Sequence, residues 1–566
     1  MNSRPRTARI GLRFGSLPCL SLTWLALLLS GFIVQCPRSF GQETNASHRR
    51  PNVLVAICDD QSYPHASAYG YTAVSTPAFD RVAATGVRFD TAITPSPGCS
   101  PMRAAFLTGR PIWQIGPAGT HASSFPTHLQ VFPELLRGSG YHVGSTGKGW
   151  GPGRHDGWPD NPAGKVYNKR KQKSPSGISD KDYAANFEDF LAERGQDQPF
   201  CFWYGGHETH RGYQQGIGRQ NGINVTAEQL PPFLPDAPEI RSDVADYLYE
   251  IQWFDDHLRR MMEKLEAIGE LQNTLIVVTS DNGMPFPRAK ANVYEYGIHM
   301  PLAISWPDRI AAGQTIDAPV SLIDVTRTIV DAASIDAGQC EAMTGTSLLG
   351  AMTGVDSAAL PTAAFSGRER HSSSRFNSLS YPCRCVRDSR FLYIRNFKPE
   401  RWPAGTPQKF SSASYDRNGR LIRAEPGPEH GGYHDIDNGP TLAWMIAHRD
   451  DPNVRPLFDA AVAKRPAEEL YDVVTDPGCL NNLIGDDEFA AQHQRLLKRL
   501  SSHLAATGDL RQTDPSAADV WETFPRFSPL RWFATPDWAK QNPGSIPDMP
   551  WLEQRRPKAK GSEQPQ

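Results

Sequence analysis

The chain has 566 residues, a formal net charge of −2 and 39% hydrophobic residues. This length and composition predict a large core divided between two subdomains. The near-neutral charge excludes long-range steering toward nucleic acid or other polyanions, so any recognition of an anion must be local.

The N-terminal region is typical of an export signal. Several arginines precede an apolar run from Leu20 to Val34, and Ser39-Phe40-Gly41 offers a cleavage site. We predict a signal peptide over residues 1–41, a polar linker over 42–50, and a secreted or periplasmic protein without membrane contact after cleavage. An uncleaved anchor is the alternative, because the apolar run is moderately long. No later stretch is long and apolar enough to span a bilayer.

Strands and helices then alternate along the chain. Residues 51–58 and 273–279 are nearly all apolar, the pattern of strands that are covered on both faces. Another strand is predicted over 199–204, and helices over 76–86 and from a cap at Ser242 to Gly269. This alternation predicts an α/β sheet sandwiched by helices, forming a catalytic domain over residues 51–365.

The pattern changes near residue 365. A strand over 391–396 and a helix over 487–505 predict a smaller C-terminal α+β subdomain over residues 366–510. Residues 511–566 are rich in proline and aromatic residues, and we predict an irregular strap over the body of the molecule. The cysteines downstream of the signal lack the spacing of a zinc site, so buried free thiols are expected, although pairing after export stays open.

The segment from Cys99 to Arg110 carries the strongest chemical signal. Pro101 suits the first turn of a helix and Gly109 suits its C-cap, which places Cys99 at a helix N-terminus that favours an anion. The Cys-x-Pro-x-Arg core followed by Thr-Gly-Arg resembles the signature of type I sulfatases, with Met102 where serine is common. The resemblance implies an alkaline-phosphatase-like fold and oxidation of Cys99 to formylglycine by a separate maturation enzyme. A small buried thiol before an ordinary helix is the alternative.

Paired oxygen ligands follow two of the buried strands. Asp59-Asp60 comes after the first, and Asp281-Asn282 comes after the one at 273–279. Because the carboxyl ends of strands in such a sheet meet at one crevice, the two pairs are expected to converge. Carboxylate and amide oxygens predict a hard cation, Ca²⁺ or Mg²⁺, which the resemblance implies is also bound by the modified Cys99. For either pair alone, ordinary turn chemistry is the alternative.

The resemblance assigns cationic residues to the sulfate. Arg103 lies one turn beyond the cysteine of the signature, and Lys148 matches the sulfate-binding lysine of a Gly-Lys-x-His segment. The histidine of that segment, which the family uses to collapse the sulfated hydrate, is replaced here by Trp150. His155 is close enough in sequence to substitute for it.

Two further segments match family positions. In His207-Glu208-Thr209-His210, the second histidine best matches the residue that protonates the leaving group, and His207 is the lesser candidate. Lys290 lies where the family places a cation on the sulfate or leaving group. For a histidine taken alone, a structural role is the alternative.

Segments near residues 280–287, 320–325 and 380–384 are similar to the heparan sulfamidase branch of the family. They imply a sulfated saccharide substrate carrying an N-sulfate or an O-sulfate. His371 and Arg384 are candidates for the substrate pocket, with packing and ion pairing as the alternative. Two rival functions remain: a phosphate or phosphonate ester hydrolase of the same superfamily, and a catalytically silent sulfoglycan-binding protein, which the loss of histidine at Trp150 motivates.

Overall fold

A computed structural model describes residues 49–354, 360–416 and 419–558. The predicted signal peptide and most of the predicted linker lie outside these residues. The strands are β1 (Asn52–Cys58), β2 (Val87–Ile93), β3 (His142–Gly147), β4 (Lys165–Val166), β5 (Phe200–Gly205), β6 (Thr274–Ser280), β7 (His299–Ser305), β8 (Gln314–Ile316), β9 (Val320–Ser321), β10 (Ala364–Arg368), β11 (Cys383–Arg387), β12 (Phe391–Asn396), β13 (Phe410–Tyr415), β14 (Leu421–Pro426) and β15 (Glu468–Asp472).

The α-helices range from single turns to the long helix α6. They are α1 (Pro77–Thr85), α2 (Cys99–Thr108), α3 (Phe132–Gly138), α4 (Tyr183–Ala192), α5 (Ile217–Gln220), α6 (Pro238–Ala267), α7 (Glu295–Ile298), α8 (Leu322–Ala332), α9 (Leu349–Thr353), α10 (Pro440–Ala447), α11 (Arg455–Val462), α12 (Ala490–Ala506), α13 (Leu510–Thr513), α14 (Val520–Thr523), α15 (Asp537–Gln541) and α16 (Pro550–Glu553). Among the described residues, none of these helices has the length and apolar character needed to cross a membrane.

The large sheet is mixed, with the order β4-β3-β5-β1-β6-β7-β2-β8 and β9 beside β2. Strands β3, β5, β1 and β6 are neighbours and run parallel, whereas β7 is antiparallel to β6 and to β2. The parallel block therefore brings the carboxyl ends of four strands to one edge, which is where the predicted ligands follow β1 and β6.

Helices cover both faces of this sheet. In β1, Val53, Val55 and Ile57 belong to a core shared with α2, α3 and α8, while Leu54 and Ala56 belong to a core shared with α1, α4 and α6. All five side chains are fully buried. An unbroken apolar strand is stable only when both of its faces are covered, which explains the composition of residues 51–58.

The smaller sheet is antiparallel, with the order β10-β11-β12-β15, and helix α12 packs beside it. The expectation of a C-terminal α+β region is confirmed, although the boundary at residue 365 stays a prediction. One helix boundary was wrong: α6 begins at Pro238, upstream of the predicted cap at Ser242, because proline at the first helical position starts a helix without losing a hydrogen bond. The described cysteines are all free and buried, as expected.

Candidate active site

The carboxyl edge of the parallel block gathers most of the predicted site residues. Asp59 and Asp60 follow β1, and Asp281 and Asn282 follow the neighbouring β6, in a register that pairs Cys58 with Ser280. Lys148 follows β3, and the segment 207–210 follows β5. The convergence of residues far apart in sequence is therefore a consequence of strand order.

Cys99 is the first residue of α2, which ends at Gly109 with a left-handed φ of 64°, as the sequence predicted. Its thiol is buried, and its Sγ lies 3.9 Å from Asp60 Oδ1. Burial raises the pKa of this thiol well above its usual value, so an unmodified Cys99 is a poor thiolate nucleophile. The raised pKa is consistent with the expected use of residue 99 in a modified form.

The acidic residues form a cluster with shared hydrogen bonds. Asp281 Oδ1 accepts from the backbone N–H groups of Asp60 at 3.1 Å and of Asn282 at 2.8 Å, and its Oδ2 accepts from Arg103 Nε at 2.7 Å. Asn282 Nδ2 donates to Asp60 Oδ1 at 2.7 Å. The four residues, hereafter the active-site cluster (Asp59, Asp60, Asp281 and Asn282), are fully buried.

Three cations balance the three carboxylates of the cluster. Arg103 pairs with Asp281, Lys148 Nζ lies 2.5 Å from Asp59 Oδ2, and Lys290 Nζ lies 2.6 Å from Asp60 Oδ2. Gly205 permits this approach, because a Cβ there would lie 1.9 Å from Lys148 O and 2.9 Å from Arg103 Nη1. The predicted cations are thus all in place around the cluster.

The pKa values of two carboxyl groups diverge. Burial opposes ionisation of Asp59, but Lys148 and Arg103 outweigh it and hold its pKa well below its usual value. Burial and the adjacent charge of Asp59 raise the pKa of Asp281 to about 6. Two carboxylates this close repel each other, and additional positive charge between them would relieve that repulsion.

Unsatisfied atoms show where that charge fits. Asp59 Oδ1 and Asn282 Oδ1 are buried and have no hydrogen-bond partner among the described residues. One ligand atom from each of Asp59, Cys99 and Asp281 also lies within 4.8 Å of the other two. Buried oxygens of carboxylate and amide groups that lack donors are suitable ligands for a hard cation. The residues present therefore fit the predicted Ca²⁺ or Mg²⁺.

The histidines after β5 lie at different depths. His210 is exposed, and its Nδ1 donates to Arg211 O at 2.7 Å, while its Nε2 has no hydrogen-bond partner in the part of the chain that the structure describes. One ring nitrogen of His210 lies within 4.8 Å of carboxylate oxygens of Asp60 and Asp437. Burial lowers the pKa of His207, which donates its backbone N–H to Tyr183 Oη, to about 3. His210 is therefore the better placed of the two for proton transfer to a bound molecule.

Two predicted candidates lie away from the cluster's contacts. His155 meets Trp150 edge-on with ring centroids 6.5 Å apart, and in the described residues no hydrogen bond joins its imidazole to the cluster. Arg384 is fully buried and pairs with Asp509 at 2.6 Å and Glu369 at 2.7 Å. These pairs occupy the guanidinium, so the structure gives Arg384 a packing role and no access to a ligand.

His371 lies beside the nucleophile position: a Cβ built on Gly98, the residue before Cys99, would be 3.1 Å from His371 Nδ1. Three further residues at this site were not found from the sequence. Asp437 binds Lys290 Nζ at 2.9 Å, the ring of His121 lies tilted by 36° against that of His371 with centroids 4.6 Å apart, and Arg526 donates to His371 O at 2.7 Å. They come from loops without a motif, so no local signal marked them.

Comparisons with known proteins agree with this geometry. The sulfatase family model matches residues 51–335, and a model for the C-terminal part of N-sulphoglucosamine sulphohydrolase matches residues 288–402. The human N-sulphoglucosamine sulphohydrolase (Homo sapiens) is 28% identical over 510 residues, covering 81% of this chain and 89% of that protein. An N-acetylglucosamine-6-O-sulfatase from Bacteroides thetaiotaomicron is 26% identical, covering 56% of this chain and 72% of that protein.

Solved structures support the fold. A structure in complex with its substrate D-glucosamine-2-N,6-O-disulfate aligns with a TM-score of 0.56 at 21% identity, covering 82% of this chain and 99% of that chain. The phosphonate monoester hydrolase of Agrobacterium radiobacter aligns with a TM-score of 0.52 at 17% identity, covering 81% of this chain and 96% of that chain. These matches confirm the alkaline-phosphatase-like α/β architecture. With a family model spanning half of its residues, the chain belongs to the sulfatase family.

Proposed function

We propose that this protein is a hydrolase that releases sulfate from a sulfated saccharide, using formylglycine derived from Cys99 and a bound Ca²⁺, with Mg²⁺ as the alternative ion. The observation that carries the proposal is the meeting of the active-site cluster, Cys99 and three cations in one buried site. Orphaned oxygens on Asp59 and Asn282 support the metal, and the N-terminus of α2 supports an anion at residue 99.

The side chains divide the chemical work. When present, formylglycine supplies the nucleophilic hydroxyl and Ca²⁺ supplies positive charge beside the sulfuryl oxygens. Arg103, Lys148 and Lys290 hold those oxygens, because all three cations meet at the cluster. Because Nδ1 donates to Arg211 O, His210 protonates the departing oxygen or nitrogen from Nε2 in its doubly protonated, imidazolium form. Positive charge fixed in a buried site stabilises the transferring group far more than it would in water.

The substrate proposed is a sulfated glucosamine of a glycan chain, with His207 and His371 lining its site. This proposal takes its support from the relatives, whose names include an N-sulphoglucosamine sulphohydrolase and an N-acetylglucosamine-6-O-sulfatase. The two names differ in whether nitrogen or oxygen carries the sulfate, so both linkages are retained. We also propose export to the periplasm or outside the cell, and maturation of Cys99 by a formylglycine-generating enzyme.

The test is parallel hydrolysis by the full chain, co-produced with a formylglycine-generating enzyme. We expect sulfate release from N-sulfoglucosamine or 6-O-sulfated N-acetylglucosamine, formylglycine in the residue-99 peptide by mass spectrometry, and no activity in Cys99→Ala. The matched control is Cys340→Ala, another buried free thiol, which is expected to keep the activity. Turnover of aryl phosphate or phosphonate alone, or an intact thiol in active enzyme, would contradict the proposal. Tight glycan binding without turnover would favour the silent binding protein.

A further inference from the structure

The position where the family segment carries a histidine is structurally closed in this chain. Trp150 is 4% exposed, its Nε1 donates to Ser100 O at 3.0 Å, and its ring packs edge-on against Phe125. An indole with its only N–H committed to a backbone carbonyl neither accepts nor delivers a proton. If the chain is a working enzyme, another group must take a proton beside residue 99.

His371 lies in the right place for that task. Its Nδ1 approaches the backbone of Gly98, immediately before Cys99, and within the described residues its imidazole has no hydrogen-bond partner. Burial, together with the charges of Lys290 and Arg368, lowers the pKa of His371 to about 3, and the charges of Asp435 and Asp437 oppose the shift. A neutral imidazole with an unoccupied lone pair therefore lies next to the nucleophile position.

The neighbouring His121 has the opposite hydrogen-bonding role. Arg526 Nη1 lies 3.3 Å from His121 Nδ1, and arginine can only donate, so Nδ1 is the acceptor and Nε2 carries the hydrogen. With its Nδ1 lone pair engaged, His121 offers only an N–H from Nε2. Of the two adjacent imidazoles, His371 alone retains an acceptor nitrogen without a partner among the described residues.

The C-terminal tail fixes this pair in place. Arg526 Nη1 donates to His371 O at 2.7 Å, and Phe527 N donates to Ala122 O at 2.7 Å. Ala122 N in turn donates to Ser100 Oγ, in the first turn of α2, at 3.0 Å. The tail, the loop that carries His121 and the helix that begins at Cys99 are thus joined by direct hydrogen bonds.

We infer that His371 accepts the proton from the hydroxyl of residue 99 when sulfate is eliminated, in place of the imidazole that is absent at position 150. This inference rests on the proposed function. The O–H bond breaks and its electron pair forms the aldehyde C=O bond, while the C–O bond to the sulfate breaks and sulfate leaves with that bonding pair. The proton resides on His371 and passes to solvent. Arg526 is a positioning residue for this step.

The test uses the mature full chain with His371→Asn, which removes the acceptor nitrogen and keeps a polar side chain. We expect one equivalent of desulfated product per enzyme in a first burst, then turnover slowed by at least about 100-fold. Sulfate should remain on the residue-99 peptide, detected by mass spectrometry after acid quench. His128→Asn, an exposed histidine, is the matched control and should turn over like the wild type.

A second variant separates chemistry from folding. Trp150→His in the His371→Asn background restores an imidazole at the family position and should recover turnover and clear the sulfated peptide. Arg526→Met should slow turnover with a smaller accumulation of that peptide. Full turnover by His371→Asn, or accumulation in His155→Asn instead, would overturn this inference alone. Mature wild-type protein that releases no sulfate would overturn the proposed function and the inference together.

Discussion

Two groups of buried charged residues in this molecule are similar in composition but differ in their hydrogen bonds. One group leaves buried polar atoms without hydrogen-bond partners among the described residues, and the other does not. The active-site cluster combines three carboxylates with Arg103, Lys148 and Lys290. Among the described residues, Asp59 Oδ1, Asn282 Oδ1 and Arg103 Nη2 have no hydrogen-bond partner, although Asp59 Oδ1 and Arg103 Nη2 lie 4.0 Å apart as an ion pair. The second group, the Arg384 network (Arg384, Glu369, Asp509 and Arg511), connects the residue that follows β10 with β11 and the start of α13. Arg384 donates to Glu369, Asp509 and two backbone carbonyls, and no buried side-chain atom of these four residues lacks a partner.

The two groups differ in hydrogen bonding although both are charged and buried. Both groups are desolvated, and both would be costly if any charge lacked compensation. In the Arg384 network every buried polar side-chain atom has a partner within the described residues, as is expected of a group with a structural role. The active-site cluster leaves buried polar atoms without hydrogen-bond partners among the described residues, which supports the cation proposed there.

The largest expected effect comes from Asp59→Asn, which replaces a carboxylate oxygen without a hydrogen-bond partner by an amide N–H donor. In Asp59→Asn, one amide atom keeps the contact to Lys148 and the amide nitrogen replaces the unpartnered Oδ1. We expect kcat/KM for the sulfated substrate, measured per folded molecule, to fall at least about 1,000-fold, because a metal ligand is lost. The free energy of unfolding should also fall, because the buried Lys148 loses its counter-charge. Hydrolysis assays and urea unfolding measure the two quantities. Unchanged activity would contradict the proposal that a metal ion binds at this site.

The converse change breaks the Arg384 network. Arg384→Met leaves Glu369 and Asp509 as buried carboxylates without this partner, so we expect a loss of about 3–5 kcal/mol in the free energy of unfolding. Activity per folded molecule should be retained, because Arg384 has no exposed surface. Urea unfolding and KM measured on the folded fraction test this. A raised KM without a loss in the free energy of unfolding would instead support the prediction that Arg384 contacts the substrate.

These two regions also show how far the sequence alone reaches. The convergence of Asp59, Asp60, Asp281 and Asn282 was predictable, because the carboxyl ends of neighbouring parallel strands meet at one edge and these residues stand directly after apolar runs. The role of Arg384 could not be predicted, because its position in a motif does not reveal whether its guanidinium faces a substrate pocket or a buried carboxylate.

The missed residues share a cause. Asp437, His121 and Arg526 lie in loops or in the tail, and their positions depend on long-range packing that no periodicity encodes. Arg526 shows this most clearly: the tail was predicted as an irregular strap, but only the structure reveals its hydrogen bond to the loop beside the nucleophile position.

Glu295 is a third buried carboxylate that, like Glu369 and Asp509 of the Arg384 network, is paired with cationic groups of the chain itself. Glu295 is paired with Arg387 at 3.0 Å and His299 at 2.9 Å, and although burial opposes ionisation these partners lower its pKa to about 2. The unfolded value is near 4.5. The pairing therefore stabilises the fold by about 3 kcal/mol above that value, and this contribution is lost as the pH falls toward 2.

Urea unfolding of the wild type and Glu295→Gln over this pH range checks the sign. The difference in the free energy of unfolding between the two proteins should be largest above about pH 4.5 and shrink as the pH falls. A difference that grows on acidification would mean that Glu295 is not held ionised by Arg387 and His299.

The smallest expected effect is the stabilisation of the folded protein by Ca²⁺ bound at the active-site cluster. Ca²⁺ that binds only the folded state at 100 times its dissociation constant should raise the free energy of unfolding by about 2.7 kcal/mol. Calorimetric scans of chelator-treated protein with and without Ca²⁺ measure this as a rise in Tm. Asp59→Asn should show no rise, whereas Arg384→Met should start from a lower Tm and show the full rise. An equal response in wild type and Asp59→Asn would place the ion elsewhere, and the orphaned oxygens would then need a different partner.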